Sequence, residues 1–380
     1  MLRAETATLP TGIGTLRAEL CTDEEQFAAL GPVWERLYRR CGAATPFQSH
    51  AWLHSWWISY GRPGRLRLVL VRDTAGGELR AAAPLMWAGH PLPRLVPLGG
   101  AISDYGDVLL DDEHADRAAT ALAETLSAAA HTALIDFREV RPGGAAERVY
   151  ERWRGPRRRL TDSVCLELPA RPMDELLSRL PAGRAQRIRT KIRKLDQLGV
   201  EHRFVPPDEV GSALRTMLEL HRLQWQDRRV TTEHLRPRFH EHLARSLGPL
   251  VRSGDARVTE FRVGGEVLAV DVTLLSRGLA GTYLYGAHPR LRDRKADVAT
   301  MLLRACADHV AGGEFLVLSL LRGAESYKSR WRPDAVANQR LLLARRRTAP
   351  LLSAVACEAA ARDRGRELVR GWAERAGGKA

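Results

Sequence analysis

Between Arg257 and Trp331 the spacing of apolar positions switches from the short period of strands to the longer period of a helix and back. The runs RVTEFRV (257–263) and EVLAVDVTLLS (266–276) are separated only by Gly264-Gly265. Two glycines between β-rich runs predict a tight hairpin, because its turn needs φ > 0 at both positions. A third run, LAGTYLYGA (279–287), follows Arg277-Gly278 and adds another antiparallel strand. Val298, Met301, Leu302 and Ala305 then fall at i, i+3, i+4 and i+7, which predicts a helix over about 297–311 with one buried face. Gly312-Gly313 stops it, and the unbroken apolar run FLVLSL (315–320) reads as a buried strand. The stretch closes on a polar, aromatic turn, RGAESYKSRW (322–331).

The same reading places a first strand at 15–20 and a helix from Thr22, as N-cap with Glu25 three residues on, to about Arg40. Trp52, Trp56 and Trp57 lie on a second short helix, either as core wedges or as one rim of an acceptor pocket with Gln48 and Ser49 as polar handles. Strands at 65–72 and 79–87 follow, then the loop GGAISDYGDVLL (99–110) gathers Ser103, Asp104, Tyr105 and Asp107. Such residues serve either turn amides or a substrate. A helix at 113–130, a strand at 132–139 and an extended segment at 158–168 complete this half. In RAQRIRTKIRK (184–194), Ile188, Ile192 and Leu195 form one helical stripe, with Arg184, Arg187, Lys191 and Lys194 on the adjacent face. Helices near 208–226, carrying His221 and Trp225, and near 233–247 precede the hairpin block. LLLARRR (341–347) is expected as a last strand and 350–375 as a helix.

Length and charge narrow the picture. The 380 residues suit two domains, expected at 1–170 and 171–347, with a helical tail at 348–380. A net charge of +14, from 59 Lys+Arg against 45 Asp+Glu, favours anionic partners, although an arginine-rich composition alone also produces it. The five cysteines show no CxxC or Cys/His spacing, which argues for a reducing compartment and against a metal site. The N-terminus has no apolar signal-like core and no run is long enough to span a bilayer, so a cytoplasmic location is expected.

Strand, strand, strand, helix, strand and a polar turn is the core order of the GNAT N-acyltransferases. Phe47-Gln48-Ser49 with the tryptophans, Ser103-Asp104-Tyr105, RIRTKIRKLDQLG (187–199), LHRLQW (220–225) and RGAESYK (322–328) occur in one order over about 15–345. That series resembles the CelD-type acetyltransferases, relatives of the FemAB aminoacyl transferases. The resemblance implies an α/β (α+β) fold of two tandem GNAT-like units with mixed, mainly antiparallel sheets, the second unit keeping the acyl-transfer site.

It also implies transfer of an acyl group from acyl-CoA to an amine or hydroxyl acceptor. Aminoacyl-tRNA is the alternative donor, and a degenerate, basic binding module is the non-catalytic alternative. Donor pyrophosphates in this superfamily rest on amides at a helix N-terminus. Here the place of the usual glycine signature reads RLRDRKADVATML (290–302), without either glycine, which leaves Arg290, Arg292, Arg294 and Lys295 as candidates to hold phosphates by charge. Tyr327, just past the last core strand, takes the place of the tyrosine that protonates the thiolate. Asp271, mid-strand among small neighbours on its own face, is the candidate base. Gln48, Trp52, Ser103, Asp104, Tyr105, Arg187, Lys191, His221, Trp225, Arg322, Glu325 and Lys328 are the expected substrate contacts.

Overall fold

Gly264 and Gly265 take φ of 59° and 81° in the turn that the sequence demands, and strands Ala256–Val263 and Glu266–Ser276 pair on either side of it. The computed structural model of the chain describes residues 7–9, 16–89, 92–224, 232–323 and 325–377. Among the described residues fourteen strands form one sheet. In chain order the first seven are β1 (Ala7–Leu9), β2 (Leu16–Cys21), β3 (Leu66–Asp73), β4 (Leu79–Ala88), β5 (Arg94–Pro97), β6 (Leu109–Leu110) and β7 (Leu134–Val140). The next are β8 (Arg157–Pro169), β9 (Glu201–Phe204), β10 (Ala256–Val263), β11 (Glu266–Ser276), β12 (Leu279–Ala287), β13 (Val317–Arg322) and β14 (Asp334–Leu343). They lie in the order β1-β2-β3-β4-β5-β7-β14-β8-β13-β12-β11-β10-β9, with β6 paired to β4 off this path. Most neighbours are antiparallel; β5 with β7 and β12 with β13 run parallel. The mixed, mainly antiparallel α/β architecture expected from the sequence is the one observed.

Helices cover the sheet where their apolar stripes require it. Val270, Val272 and Leu274 of β11 join the largest core, with Leu214 and Met217 of the Val210–Gln224 helix and Leu243 of the Pro237–Arg252 helix. Ala269, on the other face of β11, packs with Met301, Leu302 and Ala305 of the Val298–Val310 helix. The His50–Tyr60 helix buries Trp52, Trp56 and Trp57 and meets the Pro237–Arg252 helix, where the Trp52 and His242 rings lie 4.4 Å apart. The tail folds as a helix over Ala349–Gly377. Among the described residues no helix is long and apolar enough to cross a membrane.

Several boundaries differ from expectation for local reasons. The helix expected from Thr22 to Arg40 is two helices, Glu24–Ala29 and Gly31–Arg40. Pro32 lacks an amide hydrogen and interrupts the ladder at that point. Asp23, not Thr22, is the first N-cap and accepts from the Gln26 amide at 2.7 Å. The strand expected at 315–320 begins at Val317, leaving Leu316 76 % exposed, and runs on to Arg322, which pairs with Cys165. The last strand starts at Asp334 and ends at Leu343, because it is held on both sides, by β7 and by β8.

Candidate active site

The site begins where two parallel strands part. β12 and β13 pair only over Leu279–Gly281 and Val317–Ser319. Beyond that, Leu321 takes φ of 57°, a costly conformation for a branched side chain, and the β13–β8 register jumps between Ser319 and Arg322. On the other edge of β12 the register shifts as well: Thr273 pairs with Thr282 but Val272 with Leu284, so Tyr283 is an extra residue. A cavity of about 660 Å³ opens in the gap. Asp271, Tyr285, Tyr327, Glu325, His221 and His234 are among its polar lining, and Leu302 and Leu303 among its apolar lining.

Asp271 is the buried acid of this cavity, 5 % exposed. Its carboxylate accepts from Thr273 Oγ1 at 2.9 Å. Burial pushes it up to about 7, against the pull of that hydrogen bond. Elevation alone does not mark a site. Burial also pushes Asp107 up to about 7, yet that carboxylate takes the amides of Val108, Ala145 and Ala146 at 2.7–2.8 Å and caps a helix. Tyr327 is raised above the ordinary phenol range by burial, and then by the charges of Glu325, Tyr285 and Asp271. It therefore holds its proton at neutral pH.

Around these two groups the ring nitrogens are neutral. His221 Nδ1 lies 2.8 Å from the Tyr285 carbonyl, which can only accept, so Nδ1 carries the proton. Burial lowers His221 and takes His234 to about 4. Gln224 ties the strand down, donating to Tyr285 Oη at 3.1 Å and accepting from the Ala287 amide at 3.1 Å.

Seven of the expected site residues line this one cavity: Asp104, His221, Asp271, Arg322, Glu325, Tyr327 and Lys328. The two cations among them, Arg322 and Lys328, are already engaged by protein, with Asp104 and Glu325 among their partners. Arg322 Nε reaches Asp104 at 2.7 Å, one terminal nitrogen reaches Glu139 at 3.2 Å, and the other reaches the carbonyls of Ala101 and Ser103 at 2.7 and 2.9 Å. Lys328 Nζ donates to the Arg322 carbonyl at 2.7 Å and pairs with Glu325 at 2.8 Å. Arg322 thus clamps the end of β13 to the 101–104 loop, and Lys328 shapes the turn that carries Tyr327. Arg322→Met removes the cationic partner of two partly buried carboxylates, Asp104 and Glu139, and is expected to destabilise the fold by about 2 kcal/mol, read by urea unfolding. A change within a few tenths would show that the clamp is idle.

The other expected contacts lie elsewhere. Gln48 is buried, accepting from Thr45 and donating to the Tyr105 carbonyl at 3.1 Å. Trp52 Nε1 donates to Ser103 Oγ at 2.9 Å, and the Tyr105 hydroxyl meets Ser319 Oγ at 2.8 Å and Glu167 at 3.1 Å. None of Gln48, Trp52, Ser103 and Tyr105 lines the cavity, although Trp52 packs edge-on against cavity-lining Tyr283, ring centroids 5.2 Å apart. Arg187 is exposed on the Ala182–Gln197 helix, and Lys191 pairs with Asp297. Arg290 pairs with Glu266, while Arg292, Arg294 and Lys295 are exposed. Trp225 lies outside the described residues. Tyr283, Tyr285, Thr282 and His234 join the cavity without having been picked from the sequence. The alternation of Tyr283 and Tyr285 in LAGTYLYGA was the available signal.

At the helix start next to the cavity, one amide is taken by the cap residue's own side chain. Asp297 caps the Val298–Val310 helix, taking the Thr300 amide at 3.0 Å, and its other oxygen accepts from Lys191 and from Arg330 at 3.1 Å. Ala299, in the first turn, lines the cavity. A cluster able to offer three metal-ligand atoms, Asp111, Glu113 and His114, lies away from it, and Asp111 is held by Arg40 and Arg80 at 2.9 and 2.8 Å.

Residues 182–329 match the model of the acetyltransferase (GNAT) domain. That matched segment contains the β12–β13 gap, Asp271 and Tyr327. Among solved structures, FemX superposes with a TM-score of 0.60 at 10% identity, over 84% of this chain and 98% of its own. The C-terminal domain of a putative lysylphosphatidylglycerol synthetase from Agrobacterium fabrum gives 0.53 at 9% identity, over 86% of this chain and 95% of its own. L-PGS from Bacillus licheniformis gives 0.51 at 14% identity, over 86% and 92%. At such identities the likeness is one of fold. No curated protein matches the chain.

Proposed function

We propose that the chain transfers an acyl group from a thioester donor to an amine in the gap between β12 and β13. One observation carries this reading: a buried carboxylate near 7 and a protonated phenol line the same cavity within the GNAT segment. Asp271 takes the proton of the attacking ammonium, the freed nitrogen forms the new C–N bond, and the C–S bond breaks. The Tyr327 hydroxyl gives its proton to the departing sulfur; the second proton, which leaves nitrogen as the amide forms, passes through solvent to restore the phenol, and Asp271 releases its own proton to solvent. The CelD-like order of motifs supports residues 171–347 as the catalytic unit, with 1–170 walling one side of the site through the Arg322 clamp. A cytoplasmic location belongs to the same reading.

The Asp297 cap favours a second donor. A coenzyme A pyrophosphate needs open amides at the helix start, and here the Asp297 carboxylate takes the Thr300 amide and adds a negative charge there, with its own cations bound. An aminoacyl ester on tRNA places no pyrophosphate there, and exposed Arg187, Arg292, Arg294 and Lys295 suit its backbone. Free coenzyme A separates the two. A thioester donor predicts a rise in Tm at millimolar coenzyme A. No shift, together with salt-sensitive retention of aminoacyl-tRNA weakened by Arg187→Ala and Lys191→Ala, would transfer the assignment to the ester.

A further inference from the structure

Asp271 and Thr273 stand two residues apart on one face of β11, 5 % and 3 % exposed. Thr273 Oγ1 donates to Asp271 Oδ2 at 2.9 Å and lies 3.9 Å from Cys306 Sγ of the Val298–Val310 helix. Among the described residues no other group hydrogen-bonds this carboxyl. Resting on the assignment of Asp271 as the base, we propose that Thr273 is its positioning residue: the hydroxyl fixes Oδ2 and leaves Oδ1 as the oxygen that receives the ammonium proton.

The chemistry around the pair leaves this task to Thr273. A hydroxyl has a single proton, and an anionic oxygen at 2.9 Å claims it over a thiol at 3.9 Å. The Cys306 thiol stays neutral, because burial pushes it up to about 12. Across from Asp271 stand Thr259 on β10 and Tyr285 on β12, and Tyr327, which lines the same cavity from the turn, is a neutral phenol. Arg257, opposite Thr273 on β10, is drawn aside onto the Phe204 ring, 4.0 Å from its centroid. The cations that could hold the carboxylate ionised are thus elsewhere, and a hydroxyl bond to the charged form opposes burial instead.

The test needs no substrate. Carboxyl ¹³C NMR of the full chain, labelled at aspartate, follows the titration of Asp271, whose resonance is identified by its loss in Asp271→Asn. The wild-type midpoint is expected near 7. Thr273→Val keeps the shape and deletes the hydroxyl, and is expected to raise the midpoint by about one pH unit. Thr273→Ser is expected to restore it. An unmoved midpoint in Thr273→Val, or in Thr273→Ala if the valine variant does not fold, overturns the inference. The pH dependence of acyl transfer should move with the NMR midpoint. A midpoint that moves while the rate profile stays fixed instead overturns Asp271 as base and leaves its bond to Thr273 in place.

Discussion

Asp271→Asn is expected to lower kcat for acyl transfer by about 10³-fold, with KM changed little. Asparagine has the same shape and its amide oxygen still accepts from Thr273, so β11 and the cavity wall persist. What disappears is an oxygen able to take a proton. Because the carboxyl is raised to about 7 by burial, it is both ionised and basic enough to matter just above neutral pH. A folded Asp271→Asn protein with kcat within a few-fold of wild type, chemistry being rate-limiting, would remove the base from the account.

Tyr327→Phe is expected to lower kcat by about 10²-fold, again with KM nearly unchanged. Phenylalanine keeps the ring in its place between β13 and the Lys328–Trp331 turn and removes only the hydroxyl. Burial and three neighbouring anionic or phenolic groups keep that hydroxyl protonated, which suits a donor to a departing sulfur. If the ring only packs, kcat should hold. If the hydroxyl binds the acceptor equally in ground and transition states, KM should rise while kcat holds.

Which features were legible in the chain follows from how far their causes reach along it. The Gly264-Gly265 hairpin, the Val298–Val310 helix and the inward face of Asp271 depend on neighbours within a few residues, and spacing alone located them. The cross-strand neighbour of Asp271 on β12 was not legible. A two-residue turn at Arg277-Gly278 pairs Ser276 with Leu279, and continued regularly would set Asp271 opposite Leu284. The extra residue at Tyr283 moves Tyr285 into that position instead. Nothing in LAGTYLYGA marks the bulge. Arg322 was expected to touch substrate, and its guanidinium is instead spread over Asp104, Glu139, Ala101 and Ser103. Those acceptors lie 183–221 positions away in sequence, beyond what periodicity can relate. The lost phosphate glycines were visible, whereas the Asp297 cap with Lys191 and Arg330 required the fold.

The pH dependence of kcat/KM in wild type and in Asp271→Asn tests the central claim most directly. The base must be ionised to act, so activity should rise through a midpoint near 7 in the wild type. In Asp271→Asn that acid limb should vanish, leaving a low rate without a midpoint in this range. A wild-type profile that is flat from about pH 5.5 to about 8.5, or an acid limb that survives unchanged in the variant, would contradict acyl transfer driven by Asp271.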